Sequence, residues 1–362
     1  MRITQTSHHY YPHSGGTETV VKTIVDGLAE RGNELHVFSD FSDIRNDENE
    51  HNVTYHGIDL RRIGKFRFPE RGYWKKIELT NSDILHVQGQ RVWSSDYLYT
   101  HLSKISAKKV FTAHGFYQII YGGAVNKMYY NIFMPSYLSR FDHIICLTEQ
   151  EKSTTLKMNK KKADNITVIP DPVDFKRIDS YKLLDNVLEK YDLDRYQYLI
   201  HAGGLHRNKN IEFILEGIAG LNISLVLCGN QPDEEYLDFI KRKASELKVN
   251  IKFLGSINEE ELFSLEKYAK FYISGSFFES FGVSMVESSY IGTKVIAKDT
   301  GIAKELENIG SLKIVKSPSE LKEAVENEPR MDNIEKIRAE LRNKFSKDKI
   351  IDQLSELYEG LL

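Results

Sequence analysis

The chain has 362 residues with 49 Lys and Arg against 52 Asp and Glu, a formal charge of -3, and 41% hydrophobic residues. That length and apolar content suit two domains with a buried core each, and exclude a disordered or fibrous chain. The near-neutral charge argues against nucleic acid as a partner, because no basic excess is available to displace counterions.

Short β-branched and aromatic runs open the chain, at Arg2–Thr6, Leu35–Ser39, Val53–Ile58, Ile84–Val87, Val110–Ala113 and Ile144–Leu147. Segments of helical period separate them, as in a parallel sheet covered on both faces. The series restarts with Tyr198–Ala202, Ser224–Cys228, Ile251–Leu254, Phe271–Ser274, Val295–Ala297 and Leu312–Val315, with helices predicted over Ile211–Ala219 and Glu234–Leu247. Two doubly wound α/β domains follow, 1–174 and 175–345, divided where Pro170 and Pro172 interrupt the periodicity. An amphipathic helix over 346–362 is expected to pack across the boundary. Cys146 and Cys228 each sit in an apolar run, with no CxxC or Cys/His spacing, which excludes a disulfide framework and a zinc site. The N-terminus lacks the apolar segment of a signal peptide and no run is long enough to span a bilayer, so the expected location is the cytoplasm. One stretch stands out: between Arg61 and Lys76, seven basic residues and one Glu alternate with Phe66, Phe68, Tyr73 and Trp74. It reads either as a solvated loop or as a peripheral contact with anionic lipid headgroups or a charged acceptor. Lys127–Phe141 is also apolar and cationic, and core packing accounts for it better than an acceptor cleft.

Chemistry-bearing residues gather at expected strand ends. His13-Ser-Gly-Gly-Thr-Glu18 joins a strand to a helix, and Gly15 and Gly16 there allow backbone amides to approach an anion at a helix N-terminus. Neither GxGxxG nor a Walker sequence is present, so the dinucleotide and P-loop readings lack support. Gly203-Gly-Leu-His-Arg-Asn-Lys209 places Arg207 and Lys209 where an open α/β sheet binds ligands. In Ser274–Glu287, Glu279 and Glu287 flank Phe281-Gly282 ahead of a helix from about Val283, so both carboxylates are expected to face one cleft beside free helix amides. Phe111-Thr-Ala-His114-Gly115 ends another strand, with a histidine able to meet a hydroxyl; His8, His9 and His13 are alternatives. No HxxxH, HExxH or acidic triplet marks a metal site.

In chain order, HSGGTETVV (13–21), FTAHG (111–115), GGLHRNKNIEFILEGI (203–218), LCGNQPDEEYL (227–237) and GSFFESFGVSMVES (275–288) resemble the family-4 retaining glycosyltransferases of the GT-B class. The most specific element is E-x-F-G-x4-E at Glu279, Phe281, Gly282 and Glu287. The resemblance implies a GT-B fold of two Rossmann-like domains facing each other across a cleft, the second holding a nucleoside diphosphate sugar, UDP or GDP, and the first the acceptor hydroxyl of a glycan, lipid-linked or small molecule. It implies transfer with retention at the anomeric carbon, no cofactor and no metal. It also assigns roles: His114 beside the reacting sugar, Gly15, Gly16 and Lys209 on the diphosphate, Glu279, Ser280 and the amides around Phe281, Gly282 and Val283 on the transferred sugar, Glu287 on the ribose, and Gly229 in the loop near the nucleoside. The family usually has Arg where this chain has Gly204, so Arg207 is expected to take over the charge. Two alternatives come from other classes: a nucleotide-sugar epimerase, which shares the architecture, and a non-catalytic binding partner, which the Gly204 departure motivates.

Overall fold

The computed structural model describes the chain apart from residues 12–14, 41–48, 51, 65, 117–122, 124–125, 127, 159–163 and 231–232. His13, Ser14, Lys65 and Lys127 of the segments singled out above therefore lie outside the described residues. The chain forms two compact units, Met1–Pro172 with Lys347–Leu362, and Val173–Ser346.

In the first unit the strands are β1 (Arg2–Thr6), β2 (Glu34–Asp40), β3 (Asn49–Glu50), β4 (Val53–Ile58), β5 (Leu60–Ile63), β6 (Phe66–Pro69), β7 (Ile84–Gln88), β8 (Lys108–Thr112), β9 (His143–Cys146) and β10 (Ile166–Val168). Eight of them form one sheet in the order β10-β9-β8-β7-β1-β2-β4-β3, parallel but for β3, while β5 and β6 make a separate antiparallel hairpin. The central strands are buried on both faces, which is why they read as continuous apolar runs. Phe38, Leu85, Val87, Phe111 and Tyr137 lie in their shared core. The chain order and register set β1, β7 and β8 side by side, so that Gln5, Gln88 and His114 come from neighbouring strand ends.

The segment read as a loop or lipid contact is folded. After the β5–β6 hairpin comes a helix, Tyr73–Leu79, whose Tyr73 is fully buried against Phe38, Trp93 and Tyr97. Its buried anchors are only Tyr73 and Ile77, a single turn in a seven-residue helix, too short a repeat to show a helical period. In the 127–141 segment Tyr130, Met134, Tyr137 and Leu138 are core residues, whereas Met128 and Ile132 are exposed.

Lys347–Leu361 is a helix, and it belongs to the first unit instead of forming an element of its own. It packs along the helix Gly16–Glu30, where a side chain at Gly27 would collide with Ile351, and Arg31 pairs with Asp352 at 2.6 Å. The Tyr358 hydroxyl, fully buried, meets His86 Nδ1 at 2.7 Å.

The second unit contains β11 (Tyr198–Ala202), β12 (Ser224–Cys228), β13 (Ile251–Gly255), β14 (Phe271–Ser274), β15 (Val295–Ala297) and β16 (Leu312–Ile314), all parallel in the order β13-β12-β11-β14-β15-β16. The strand order reverses between β11 and β14, and that is the place where an open α/β sheet binds its ligand. Side-chain caps fix the starts of several helices: Asp174 accepts from Arg177 N, Asp233 from Tyr236 N, Asn258 from Glu261 N and Ser317 from Glu320 N.

Candidate functional site

The carboxyl ends of β11 and β14 carry two loops that are hydrogen-bonded to each other. Asn208 donates to Phe278 O at 2.9 Å and accepts through its own carbonyl from Phe277 N at 2.9 Å, and Asn210 donates to Gly275 O at 3.0 Å. This zip brings Lys209 Nζ to 2.7 Å from Glu279 Oε1. Burial pushes the Glu279 carboxyl up, but the Lys209 charge, with hydrogen bonds from Lys209 and Ser276, outweighs it and holds the group below its ordinary value. His201 donates Nδ1–H to Ile273 O, and its buried Nε2 has no hydrogen-bond partner among the described residues. Burial, reinforced by Lys209, drives His201 down to about 4, so the ring is neutral.

The next strand end comes close enough to demand glycine. At φ +136° Gly229 has its Cα against the Gly203 carbonyl, and a Cβ there would strike that backbone. On the other side Gly282, at φ +103°, caps the helix Val283–Ile291. The first amides of that helix, from Val283 and Ser284, have no acceptor among the described residues, leaving donors at the positive end of the helix dipole.

Glu287 lies one turn inside the same helix and is held by Arg177, which also pairs with Glu259. Burial raises the Glu287 carboxyl to about 7 against the pull of Arg177. Glu279 and Glu287 thus have separate cationic partners, Lys209 and Arg177, and share none.

In the first unit His114 sits at φ +53° just beyond β8, with Nε2 at 2.7 Å from Gln88 Oε1. Because the amide oxygen only accepts, Nε2 carries the proton and Nδ1 is left as an acceptor. Burial brings His114 down to about 4. Gln88 is itself fixed by donating to Gln5 at 3.0 Å. The following amide, Gly115 N, donates to Glu151 at 2.8 Å, and Leu147 N donates to the other carboxylate oxygen at 2.6 Å. At the Gly-Gly turn, Gly15 precedes the helix Gly16–Glu30, and the Glu18 carboxylate folds back over Gly15. Among the described residues no group of three or more His, Cys, Asp or Glu is placed to hold a metal ion.

Residues 14–177 match the family described as Glycosyltransferase Family 4, and residues 185–349 match Glycosyl transferases group 1. The chain is a family-4 glycosyltransferase. Among curated relatives, an alpha-monoglucosyldiacylglycerol synthase of Streptococcus pneumoniae is 24% identical over 319 residues, 82% of this chain and 71% of the relative. A phosphatidylinositol N-acetylglucosaminyltransferase subunit of Saccharomyces cerevisiae is 22% identical over 312 residues, 81% of this chain and 66% of its own. Among solved structures, Anabaena HepE in complex with UDP and glucose aligns at a TM-score of 0.78 with 17% identity, covering 99% of this chain and 100% of HepE. The sucrose-phosphate synthase of Thermosynechococcus elongatus aligns at 0.80 with 19% identity, covering 99% and 98%. These likenesses establish the GT-B fold with two Rossmann-like domains.

Within the transferase, the expected site residues fall into separate groups. Lys209, Glu279, Ser280, Gly282 and Val283 gather at the β11 and β14 ends, with Gly229 beside them. Phe281 contributes only backbone, since its ring is fully buried against Phe345 and its carbonyl accepts from Ile302 N. Arg207, expected to supply a second charge, turns away: its guanidinium lies over Tyr236 and 3.6 Å from Glu235. His114, Gly15 and Gly16 belong to the first unit. Three participants were missed in the sequence. Arg177 and His201 carry no local signal, their partners being 110 and 72 residues away. Gln88 lies inside a strand, where a polar residue at the last position before a glycine was the available clue.

Proposed function

We propose that the transferase moves a sugar from a nucleoside diphosphate sugar, UDP before GDP, to an acceptor hydroxyl with retention of configuration. The observation that carries this reading is the Lys209–Glu279 pair set beside the unpartnered amides of Val283 and Ser284. Lys209 and those amides meet the diphosphate, Glu279 and Ser280 the transferred sugar, and Glu287, oriented by Arg177, the ribose hydroxyls. The bond from the anomeric carbon to the β-phosphate oxygen breaks with its electron pair passing to the diphosphate. The acceptor oxygen bonds the same face of that carbon, and its proton leaves with the diphosphate. Charge grows on the leaving group as the bond breaks, so a fixed ammonium and helix dipole stabilise the transition state more than the ground state. In the first unit Gly15 and Gly16 offer backbone amides to an anion, and the His114 Nδ1 lone pair is available to a hydroxyl.

A thermal-shift series with UDP, GDP, ADP and their sugars tests the donor assignment. At a hundredfold excess over Kd the folded state gains ~2.7 kcal/mol, a rise of roughly 5–10 °C for a domain of this size. The expected result is one base giving that shift in the wild type and not in Glu287→Ala. Absence of a shift with every nucleotide would overturn the reading and favour a partner without turnover.

The acceptor belongs, in the same proposal, to a membrane surface. The two relatives above are named for reactions on glycerolipids and phosphatidylinositol. Phe68 is 46% and Leu79 82% exposed on the hairpin and helix that also carry Arg61, Arg62, Arg67, Lys75 and Lys76. Trp74 is flanked there by the ammonium groups of Lys75 and Lys104 at 5.7 and 4.9 Å. Among the described residues no helix is long and apolar enough to cross a membrane, so the contact proposed is peripheral. At ~1 kcal/mol per basic residue near an anionic surface, Lys75→Glu with Lys76→Glu is expected to lower co-sedimentation with phosphatidylglycerol vesicles more than tenfold. Equal sedimentation of the two proteins, or none by the wild type, would remove this contact.

A further inference from the structure

The Lys209–Glu279 site has a vacancy in the sequence at Gly204, where the family usually places an arginine, and Arg207 is turned toward Glu235 and Tyr236. The side chain nearest to Gly204 is that of His206. A Cβ built on Gly204 would lie 3.6 Å from His206 Cδ2 and 3.7 Å from His206 Nε2, ordinary contact distances, so a side chain at 204 and the imidazole of 206 lie against each other on one side of the loop. That follows from the local backbone: His206 is extended at φ -142°, ψ 164°, and residues two apart on an extended chain point to one side. His206 N-caps the single turn Arg207–Lys209 and its carbonyl accepts from Lys209 N at 2.8 Å, which fixes the imidazole relative to the lysine.

We propose that His206 is the second cation of the leaving-group site, its imidazolium donating to the departing diphosphate from beside position 204. The proposal rests on the transferase reading above. The charged and titratable groups facing His206 are Lys209 on its own loop, Glu279 on the loop after β14, Asp233 at the start of the helix Glu234–Leu247, and His201 at the end of β11. His206 is exposed along part of its ring; partial desolvation of the rest and then Lys209 hold it below its ordinary value, against the opposite pull of Glu279 and Asp233. A diphosphate on Lys209 cancels the repulsion and adds negative charge, so His206 takes up a proton as the ligand binds. The protein thereby places a titrating donor where a guanidinium would be permanently charged.

The experiment compares wild type, His206→Ala and the double variant His206→Ala with Gly204→Arg, in turnover across pH and in calorimetry of UDP binding in two buffers of different ionisation enthalpy. His206→Ala is expected to lower kcat about tenfold or more, short of the 10²–10³ found for fully enclosed oxyanion donors, and to abolish proton uptake on UDP binding. Wild-type activity should fall as pH rises through the bound imidazole's pKa. The double variant should recover to within about threefold of wild type and lose that alkaline limb, since guanidinium does not titrate there. If wild type binds UDP but His206→Ala keeps its turnover and proton uptake, the His206 assignment fails alone. If His206→Ala loses activity and the arginine does not restore it, the assignment of a cation to this side of the loop fails. If wild type neither binds nor turns over any nucleotide sugar, the transferase reading falls instead.

Discussion

Lys209→Met is expected to lower kcat by about 10²–10³, the loss measured when one fixed transition-state donor is removed, while KM for the donor changes less. The ammonium is 16% exposed and held against Glu279, so it enters the reaction already oriented. Removing it also inverts the state of its partner. Burial is the largest influence on Glu279 and acts upward; Lys209 and Ser276 are what keep the carboxylate charged. Without the lysine the acid takes a proton and no longer accepts hydrogen bonds from sugar hydroxyls with full charge. Breaking a fully buried pair from one side costs about 3–5 kcal/mol, and the partial exposure of both members here reduces that to about 1–3. The double change Lys209→Met with Glu279→Gln should therefore regain most of the thermal stability and none of the activity. A Lys209→Met protein with wild-type kcat would remove Lys209 from the chemistry, and a double variant less stable than the single would show that the pair is held for other reasons.

The strands and their division into two sheets were legible because both sheets are parallel and covered, so each central strand is apolar along its length. Tyr198–Ala202, Ser224–Cys228 and Phe271–Ser274 have the observed bounds in the sequence reading. Elsewhere the pattern fails for identifiable reasons. β1 buries Thr4, Gln5 and Thr6 completely, and nothing local explains three polar residues in a core strand. Their partners arrive from far along the chain: Thr80 and Ser82 for Thr4, and Gln88 for Gln5. The hairpin and helix over Leu60–Leu79 were hidden because arginine and lysine occupy the exposed positions while only Tyr73 and Ile77 anchor the short helix. At the site, the motif gave Lys209, Glu279 and Glu287, but the partner of each carboxylate depends on which loops the sheet order brings together. Arg177 on Glu287 and the turning of Arg207 toward the helix Glu234–Leu247 are consequences of that order.

The second large effect concerns pH and lies at the end of the first unit. Asp171 is 5% exposed, and burial, reinforced by Glu151, raises its carboxyl to about 8; Glu151, also buried, is raised to about 7 although Leu147 N and Gly115 N oppose the shift. An acid whose folded pKa lies above its unfolded value binds more protons in the native state than in the unfolded chain between the two. Raising pH through that interval therefore lowers stability. For Asp171 the interval runs from about 4 to about 8, so its penalty is absent below about pH 4, grows through the interval and is complete above pH 8. Asp171→Asn keeps the shape and removes the charge. It should leave Tm near pH 4 within about 2 °C of wild type and raise it at pH 8 by about 5 °C or more, since ~2–4 °C accompanies each kcal/mol in domains of this size. Part of the wild-type slope should persist in the variant, because Glu151 and Glu287, each raised to about 7, act with the same sign. Parallel Tm curves for wild type and Asp171→Asn from pH 4 to 8 would mean that the Asp171 carboxylate is paired or hydrated when charged, and that its burial imposes no pH dependence on the fold.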